Sequence, residues 1–562
     1  VPMPAAIVGL LLVLATVAIP AFLPSVFLVL PRRAGLRVRN HLGVLAESLS
    51  LAAAQTSLTV AFLPDQAQRA ADAIVRTLLR LFVTRRHLLE WTTAAKSTAA
   101  ARLGMGGFYR GMAGGVVLGL ALAALTLAAV PASWPLVLPF VLLWACAPAL
   151  AFRISRAPPI ARRLSISPAD AIYLRLIARR TWRYFEIFVT PDDNMLPPDN
   201  FQEDPKPALA HRTSPTNIGL YLLSAVAARD FGWAGTTETV ERLEATLGSM
   251  RKLARFKGHF FNWYDTQDLR PLDPAYVSSV DSGNLAGHLI ALANACEEWM
   301  DPACMPDVRA GMKDALRLAR EAIDALRTNA EGRGQRLIAA VDEIETRLNG
   351  AEAIESIAAS LNRLAEKAAE ASRSIMPMPM SEERDTPDLL FWIGALKRIG
   401  LELLRDRRGL ADATCPLNER LKAIAETARE MALAMDFAFL LDPDRKLLSI
   451  GYSLADNGLD PSCYDLLASE ARLASLFAIA KGDVPTQHWF RLGRAVTPLG
   501  GGAALVSWSG SMFEYLMPSL VMRAPDDSLL GQTSRLVVKR QQAYGRSLGV
   551  PWGVSESAYS AR

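Results

Sequence analysis

Apolar and polar positions divide the chain into a front of long uncharged runs and a longer remainder of helical periodicity. Residues 1–31 carry no charge and are mostly apolar, and about 20 such residues suffice to cross a bilayer. A span over about 5–30 is predicted, with Arg32, Arg33, Arg37 and Arg39 immediately behind it. Between Arg110 and Arg153 lie 42 consecutive uncharged residues, interrupted at Pro131-Ala-Ser-Trp-Pro135. This predicts a hairpin of two spans, 115–130 and 136–152, with Pro, Ser and an interfacial Trp in its turn. The stretch 40–110 mixes apolar residues with Arg76, Arg80, Arg85 and Arg86, the pattern of amphipathic helices lying on a membrane. Buried core helices of a water-soluble fold are the competing reading, and the length of the uncharged run argues against them.

From about residue 168 apolar positions recur with helical spacing over 168–190, 216–230, 236–253, 281–299, 306–328, 383–405, 417–436 and 464–481. Few alternating runs predict strands. Residues 320–375, rich in Ala, Glu, Arg and Leu, predict an exposed helical hairpin turning at Gly332-Arg-Gly334 or Asn349-Gly350. Its charges read either as a solvated face or as a partner-binding coiled coil.

Composition sharpens this division. At 562 residues there is material for several domains. Apolar residues make up 51% and mean hydropathy is +0.18, while 21% charged residues are too many for transmembrane helices alone. Residues 1–165 hold 16 Lys/Arg against 4 Asp/Glu, and the rest 45 against 52, so the front is +12 and the remainder −7. A basic front beside apolar runs suits an anionic lipid surface, and an acidic remainder disfavours nucleic acid. Basic residues flank all three predicted spans on one side, so 32–110 and everything after 153 are expected in the cytoplasm. The first segment lacks the basic front and cleavage site of a signal peptide and starts with Val, which predicts an excerpt from a longer polypeptide. Cys146, Cys296, Cys304, Cys415 and Cys463 are scattered without a CxxC pair, as for reduced thiols.

There is no P-loop, HExxH or GxSxG, and Gly500-Gly-Gly502 lacks the strand–turn–helix context of a dinucleotide site. The six histidines have no metal-ligand spacing, so no metal is expected. What remains is acids among aromatics. On a helix, Glu470 would share a stripe with Leu466, Leu467, Leu473, Ala474 and Phe477; burial there raises a carboxyl's pKa towards that of a general acid. A structural glutamate paired with Arg472 is the alternative. Glu556, between Ser555 and Ser557 with Trp552 and Tyr559 nearby, suits an ionised nucleophile beside sugar-stacking rings, or else a loop acid. Glu514, near Trp508 and Tyr515, and Asp265, beside Trp263 and Tyr264, read as substrate-shaping or structural first and catalytic second. Asp281-Ser-Gly-Asn284 and Thr213-Ser-Pro-Thr-Asn217 look like helix starts whose polar groups are also able to line a pocket. Two carboxyls with stacking surfaces and no cofactor motif match glycosidic-bond chemistry.

Longer runs carry a resemblance: Leu196-Pro-Pro-Asp-Asn-Phe-Gln-Glu203, Thr213-Ser-Pro-Thr-Asn-Ile-Gly-Leu220, Asn262-Trp-Tyr-Asp-Thr266, Asp281-Ser-Gly-Asn-Leu285, Tyr464-Asp-Leu-Leu-Ala-Ser-Glu-Ala-Arg472, Gly482-Asp-Val-Pro485 with His488-Trp489, Phe513-Glu-Tyr-Leu516 and Trp552-Gly-Val-Ser-Glu-Ser-Ala-Tyr559. In this order they resemble the glucoamylase-like middle region of cyclic β-1,2-glucan synthases, over about 180–562. The resemblance implies a mainly α chain: a membrane region over 1–165, then an (α/α)6 barrel, or toroid, over 166–562 with the 320–375 hairpin inserted. The family's barrel continues past the Ser-Glu-Ser-Ala-Tyr motif, so a C-terminally incomplete toroid is expected at Arg562. The implied activity is cyclisation of linear β-1,2-glucan by anomer-retaining transglycosylation, with the acid/base position on Glu470 and the nucleophile position on Glu556. Trp263, Tyr264, Asp265, Asp281, Asn284, Trp508, Glu514, Tyr515, Trp552 and Tyr559 are the expected substrate-binding residues. No cofactor is implied for this region; UDP-glucose is the donor of a separate glycosyltransferase region, and a phosphorylase region sets chain length. The glucan, the bilayer and those two regions are the expected partners, and a multi-pass protein of the bacterial inner membrane is the expected setting. An endo-hydrolase and a non-catalytic glucan-binding scaffold remain the alternatives.

Overall fold

A computed structural model describes residues 3–27, 38–86, 104–155, 166–204, 206–327, 335–350, 352–353, 356–357, 360–361, 388–411, 417–500, 502–525 and 528–553. The chain forms two compact units, Val1–Ala161 and Arg162–Arg562.

The first unit is all helical. Helix α1 (Met3–Phe27) has no charged side chain, and α2 (Val38–Leu78) runs for 41 residues with Pro64 inside it. Helices α3 (Met105–Gly111) and α4 (Ala113–Ala129) meet at a 60° bend, and a 3-10 turn at Pro131–Ser133 leads into α5 (Trp134–Ser155). Met3–Val26 and Pro131–Ser155 are long and apolar enough to cross a membrane, and the bent pair adds a third if it counts as one span. Turning at 131–135 follows from its two prolines, as the uncharged run predicts.

Helix α2 packs on α1, α4 and α5. Gly115, Gly119 and Ala123 lie buried at four-residue spacing and give α4 a flat face. A Cβ on Gly115 would stand 2.5 Å from the Asp65 Cα, and one on Gly119 would stand 3.0 Å from the Trp144 ring. Small residues at this spacing let helix backbones meet without a hydrophobic driving force. The Trp144 indole donates to the Val60 carbonyl at 3.0 Å.

The second unit is mainly α with strands of two to four residues. Helices α6 (Pro168–Phe188), α7 (Pro215–Asp230), α8 (Thr236–Lys252), α9 (Ser279–Glu298) and α10 (Val308–Arg327) follow the predicted periodicity within a few residues. Beyond them come α11 (Gln335–Asn349), α12 (Asp388–Ala411) and α13 (Leu417–Leu433). Of the expected 320–375 hairpin, the turn at 332–334 and positions 362–375 lie outside the described residues. Helix α9 is buried nearly all round, packed on α7, α13 and α14 (Arg472–Lys481). Leu285, Leu289 and Leu292 join Ile218 and Leu222 of α7 and Leu421 and Ile424 of α13 in the largest core. A second core gathers Leu316, Ile344, Trp392 and Leu396 of α10–α12 around Leu176 of α6.

One predicted helix is cut short. The 464–481 run is helical only over Arg472–Lys481, and residues 464–471 form turns. The backbone N–H groups of Tyr464 and Leu467 donate to the carbonyls of Leu448 and Gly493, so tertiary partners replace the intrahelical ladder. After α15 (Gln487–Arg491), a hairpin pairs Val496–Leu499 with Gly502–Leu505. It packs with α16 (Met512–Leu516) and with α17 (Leu529–Leu548), which starts at the capping Ser528 and which periodicity alone did not predict.

Candidate active site

Helix α9 begins where the short strand Tyr276–Ser278 pairs antiparallel with Gly451–Ser453. Ser278 caps it, its hydroxyl accepting from the Asp281 N–H at 3.2 Å, and the Ser279 hydroxyl donates to the Ser449 carbonyl at 2.7 Å. The chain that follows this strand returns to α9 as the turn carrying Glu470, just ahead of α14. Gly283 makes that return close: a Cβ there would stand 2.3 Å from the Ala474 Cβ. Glycine is required because α9 and α14 touch backbone to side chain at this point.

The approach joins three sequence motifs in one hydrogen-bonded row. Asn284, fully buried, donates through Nδ2 to Glu470 Oε2 at 3.4 Å and to the Thr216 hydroxyl oxygen at 3.1 Å. Thr216, in the first turn of α7, in turn donates to Asp281 Oδ1 at 2.6 Å. Burial pushes the Asp281 carboxyl above its ordinary range, against the opposing pull of the Thr216 and Ser278 hydrogen bonds. Tyr464 stands beside the same acids: burial raises its phenol first, and the charges of Glu470, Asp281, Tyr276 and Glu514 raise it further. Arg472 supplies the positive charge. Burial pulls its guanidinium down to about 10, against the pull of Glu514 and Glu470, while it donates to the carbonyls of Ser469 at 3.0 Å and Tyr515 at 2.7 Å.

The expected substrate residues divide between site and scaffold. Glu514 is buried and accepts from the Trp508 N–H at 2.9 Å, the Ser509 N–H at 2.9 Å, the Ser509 hydroxyl at 2.8 Å and the Gly510 N–H at 3.2 Å. It therefore folds the 508–510 loop, on which Trp508 stands 56% exposed, open to stack on a ligand. Tyr515 is buried with its hydroxyl donating to the Leu505 carbonyl at 2.9 Å. Tyr264 differs from expectation: it is fully buried, its oxygen held between the Ala254 carbonyl at 2.6 Å and the Phe261 N–H at 2.7 Å. An aromatic–acid motif marks core as readily as cleft, and here the ring has no face left for a sugar. Asp265 accepts from the N–H groups of Gln267 and Asp268 in a local turn.

Trp263 lies under the Arg212 guanidinium at 4.9 Å. Arg212 binds Asp199 at 3.0 Å, and Asp199 accepts from Asn217 at 3.0 Å, next to Thr216. Trp552 lies against Gly545 of α17. Glu556 and Tyr559 lie outside the described residues. Sequence reasoning missed Tyr464 as a site residue; it offered Thr216 only as one of several pocket-lining polar groups and Arg472 only as a structural partner of Glu470.

The arrangement holds three carboxyls, a phenol and a guanidinium where α7, α9, α14 and α16 begin. Among the described residues no group of three His, Cys, Asp or Glu has metal-holding geometry. Buried His259 bridges the Ser282 hydroxyl and the Asp436 carbonyl, and burial lowers it to about 4.

No protein-family model matches the chain. Among solved structures it is similar to an endo-beta-1,2-glucanase from Chitinophaga pinensis, with TM-score 0.39, 10% identity and coverage of 69% of this chain and 68% of that one. A glucoamylase-like protein from Bacteroides caccae gives TM-score 0.37 and 11% identity, with 67% of each chain covered. Both superpositions are loose, and sequence carries the relationship instead. The chain is 44% identical over 580 residues to the cyclic beta-(1,2)-glucan synthase NdvB of Rhizobium meliloti (strain 1021), an alignment that takes in 100% of this chain and 20% of that protein. Sustained from one end of the chain to the other, that identity makes it a homologue of one fifth of a cyclic beta-(1,2)-glucan synthase.

Proposed function

We propose that this chain carries the ring-closing step of a cyclic β-1,2-glucan synthase, by retaining intramolecular transglycosylation in an (α/α)6 toroid. The observation that carries the reading is the identity to NdvB across the whole chain. The placement of Glu470 in a cluster of acids at the start of α9 supports it.

In this reading Glu470 is the general acid and Glu556 the nucleophile. Glu470 gives its proton to the oxygen of an internal linkage as the Glu556 carboxylate attacks the anomeric carbon. That carbon–oxygen bond breaks, the reducing-end fragment leaves as an alcohol, and the rest of the glucan stays as an ester on Glu556. Glu470, now a carboxylate, takes the proton of the glucan's own non-reducing-end hydroxyl, whose oxygen attacks the same carbon and releases Glu556. Two inversions retain the anomer, and the attached acceptor outcompetes water through its high effective concentration. Exposed Trp508 and half-buried Trp263 are the stacking surfaces of the glucan path.

The wider setting is a multi-pass protein of the bacterial inner membrane with its helical second unit in the cytoplasm. A glycosyltransferase region using UDP-glucose supplies the linear chain and a phosphorylase region trims it. The test uses the full-length protein and linear β-1,2-glucan, read by mass spectrometry. Products lighter by one water than linear chains of equal length, lost in Glu470→Gln and Glu556→Gln, support ring closure. Linear fragments alone turn the assignment to an endo-hydrolase, and undiminished cyclisation in both variants turns it to a glucan-binding scaffold.

A further inference from the structure

We propose that Asn284 is the positioning residue of Glu470, its amide turned by Thr216 and Asp281 so that nitrogen rather than oxygen faces the glutamate. This rests on the reading of Glu470 as the acid/base group. The Thr216 hydroxyl has one proton, and at 2.6 Å it goes to Asp281. The Thr216 oxygen then has only lone pairs for Asn284, at 3.1 Å, and must meet an N–H. The other proton of that nitrogen is left for Glu470 Oε2, at 3.4 Å. A carboxylate two residues away in the row thus decides which end of a buried amide the glutamate sees. Asn284 Oδ1, buried and without a partner among the described atoms, is the end turned away.

The consequence is chemical. A donated N–H favours the ionised glutamate, the form that exists after Glu470 has protonated the leaving oxygen, so Asn284 assists the first step without touching substrate. Tyr464 on its own segment and Arg472 of α14 both feel the charge of Glu470, and Asp281, Tyr276 and Glu514 crowd the same Tyr464. Asn284→Ala leaves the Thr216–Asp281 hydrogen bond in place, whereas Thr216→Val also removes a donor that holds the Asp281 carboxyl down.

The test measures cyclic product formed by the full-length protein against pH. In Asn284→Ala the glutamate loses the Asn284 N–H, so the basic limb of the kcat profile moves up by about 0.5–1 pH unit and kcat falls about 10-fold, with KM within about 2-fold. Thr216→Val shifts the limb in the same direction, and Thr216→Ser restores it. An unmoved pH profile, or a KM that rises in step with falling kcat, overturns the proposal. So does a Thr216→Ser variant indistinguishable from Thr216→Val. Full activity in Glu470→Gln fails the acid/base reading instead, whatever Asn284 does.

A separate observation concerns the first unit: we infer that α2 crosses the membrane as a further span. Its segment Ser48–Pro64 has no charged residue and is bounded by Glu47 and Asp65, about 27 Å apart on a helix rising 1.5 Å per residue, close to the bilayer's hydrocarbon core. The Ser48 hydroxyl meets Ser25, near the end of α1, at 2.8 Å. At the other end Asp65 lies against Gly115 near the start of α4, and between them Val60 meets Trp144 of α5. A helix that pairs with apolar helices at both ends and in the middle shares their depth. Its hydroxyls are accommodated inside the helix: Thr56 donates to the Ala52 carbonyl at 2.9 Å and Thr59 to that of Gln55 at 2.8 Å.

The expected result is that the two ends of α2 face opposite sides, which replaces the expectation from the basic flanks that all of 32–110 is cytoplasmic. In full-length protein with Cys146→Ser, a membrane-impermeant maleimide added to intact spheroplasts labels Asn40→Cys, and labels Arg80→Cys only after permeabilisation. Labelling of both ends under the same condition overturns the inference and leaves α2 on the membrane surface.

Discussion

His259 bridges Ser282 and Asp436 as a neutral ring, and burial lowers it to about 4 from an ordinary 6.5. Above pH 6.5 neither folded nor unfolded chain carries the proton, and there is no penalty. As pH falls from 6.5 towards 4 the unfolded chain binds a proton that the folded one refuses, so stability drops by up to about 3 kcal/mol. Thermal unfolding of His259→Gln is therefore expected to depend less on pH across that window, and an equal slope would remove the histidine from the account. At Glu514 the expectation is of a different kind. Its carboxylate accepts four donors, and an amide in its place offers one oxygen. Glu514→Gln leaves buried N–H groups unpaired, at about 1–3 kcal/mol, and loosens the loop that presents Trp508. Glucan binding should weaken with it, read as a raised KM.

Between elements, the junction of α9 and α14 carries the site. A methyl on Gly283 would stand 2.3 Å from the Ala474 Cβ, so Gly283→Ala pushes the two helices apart, with a cost of about 1–3 kcal/mol. Glu470, two residues ahead of α14, moves away from Asn284 with it. Ala474→Gly added to Gly283→Ala removes only one of the clashes, because the methyl would still stand 2.4 Å from the residue 474 Cα and 2.7 Å from its N, so cyclisation should stay low in the double variant. Full recovery would mean that the glycine serves something other than this backbone approach. This junction also explains the shortened 464–481 helix. Periodicity placed Glu470 on an apolar stripe, but Tyr464 and Leu467 spend their backbone donors on Leu448 and Gly493, leaving the glutamate in a turn beside α9.

At the scale of the whole molecule the two units follow different solvents. The 18-residue apolar window of α1 is entirely unburied by protein, and that of α5 is 11% buried. Surfaces so apolar and so open need lipid. The full-length protein is expected to stay in the pellet after alkaline carbonate washing and to leave it in detergent; release by carbonate alone would sink the membrane assignment. The second unit buries its apolar residues in three cores of its own, as a water-facing body does.

Sequence by itself determined most of the helices and the turn at 131–135, though neither α17 nor the short strands, because periodicity, uncharged runs and prolines act over a few neighbouring residues. It also picked out the motifs at the starts of α7, α9 and α14, since capping hydroxyls and a glycine in a buried helix are local signals. Only the tertiary structure decided which members of each motif serve the site. Tyr264 and Tyr515 turned into the core, Glu514 became the anchor of a loop, and Thr216 of α7 and Asn284 of α9 came to the stretch that holds Tyr464, Glu470 and Arg472. The physical reason is that a side chain's protonation and partners depend on what stands across from it in space. Thr216 and Glu470 are 254 positions apart in the chain, and no local pattern can bring them to one amide.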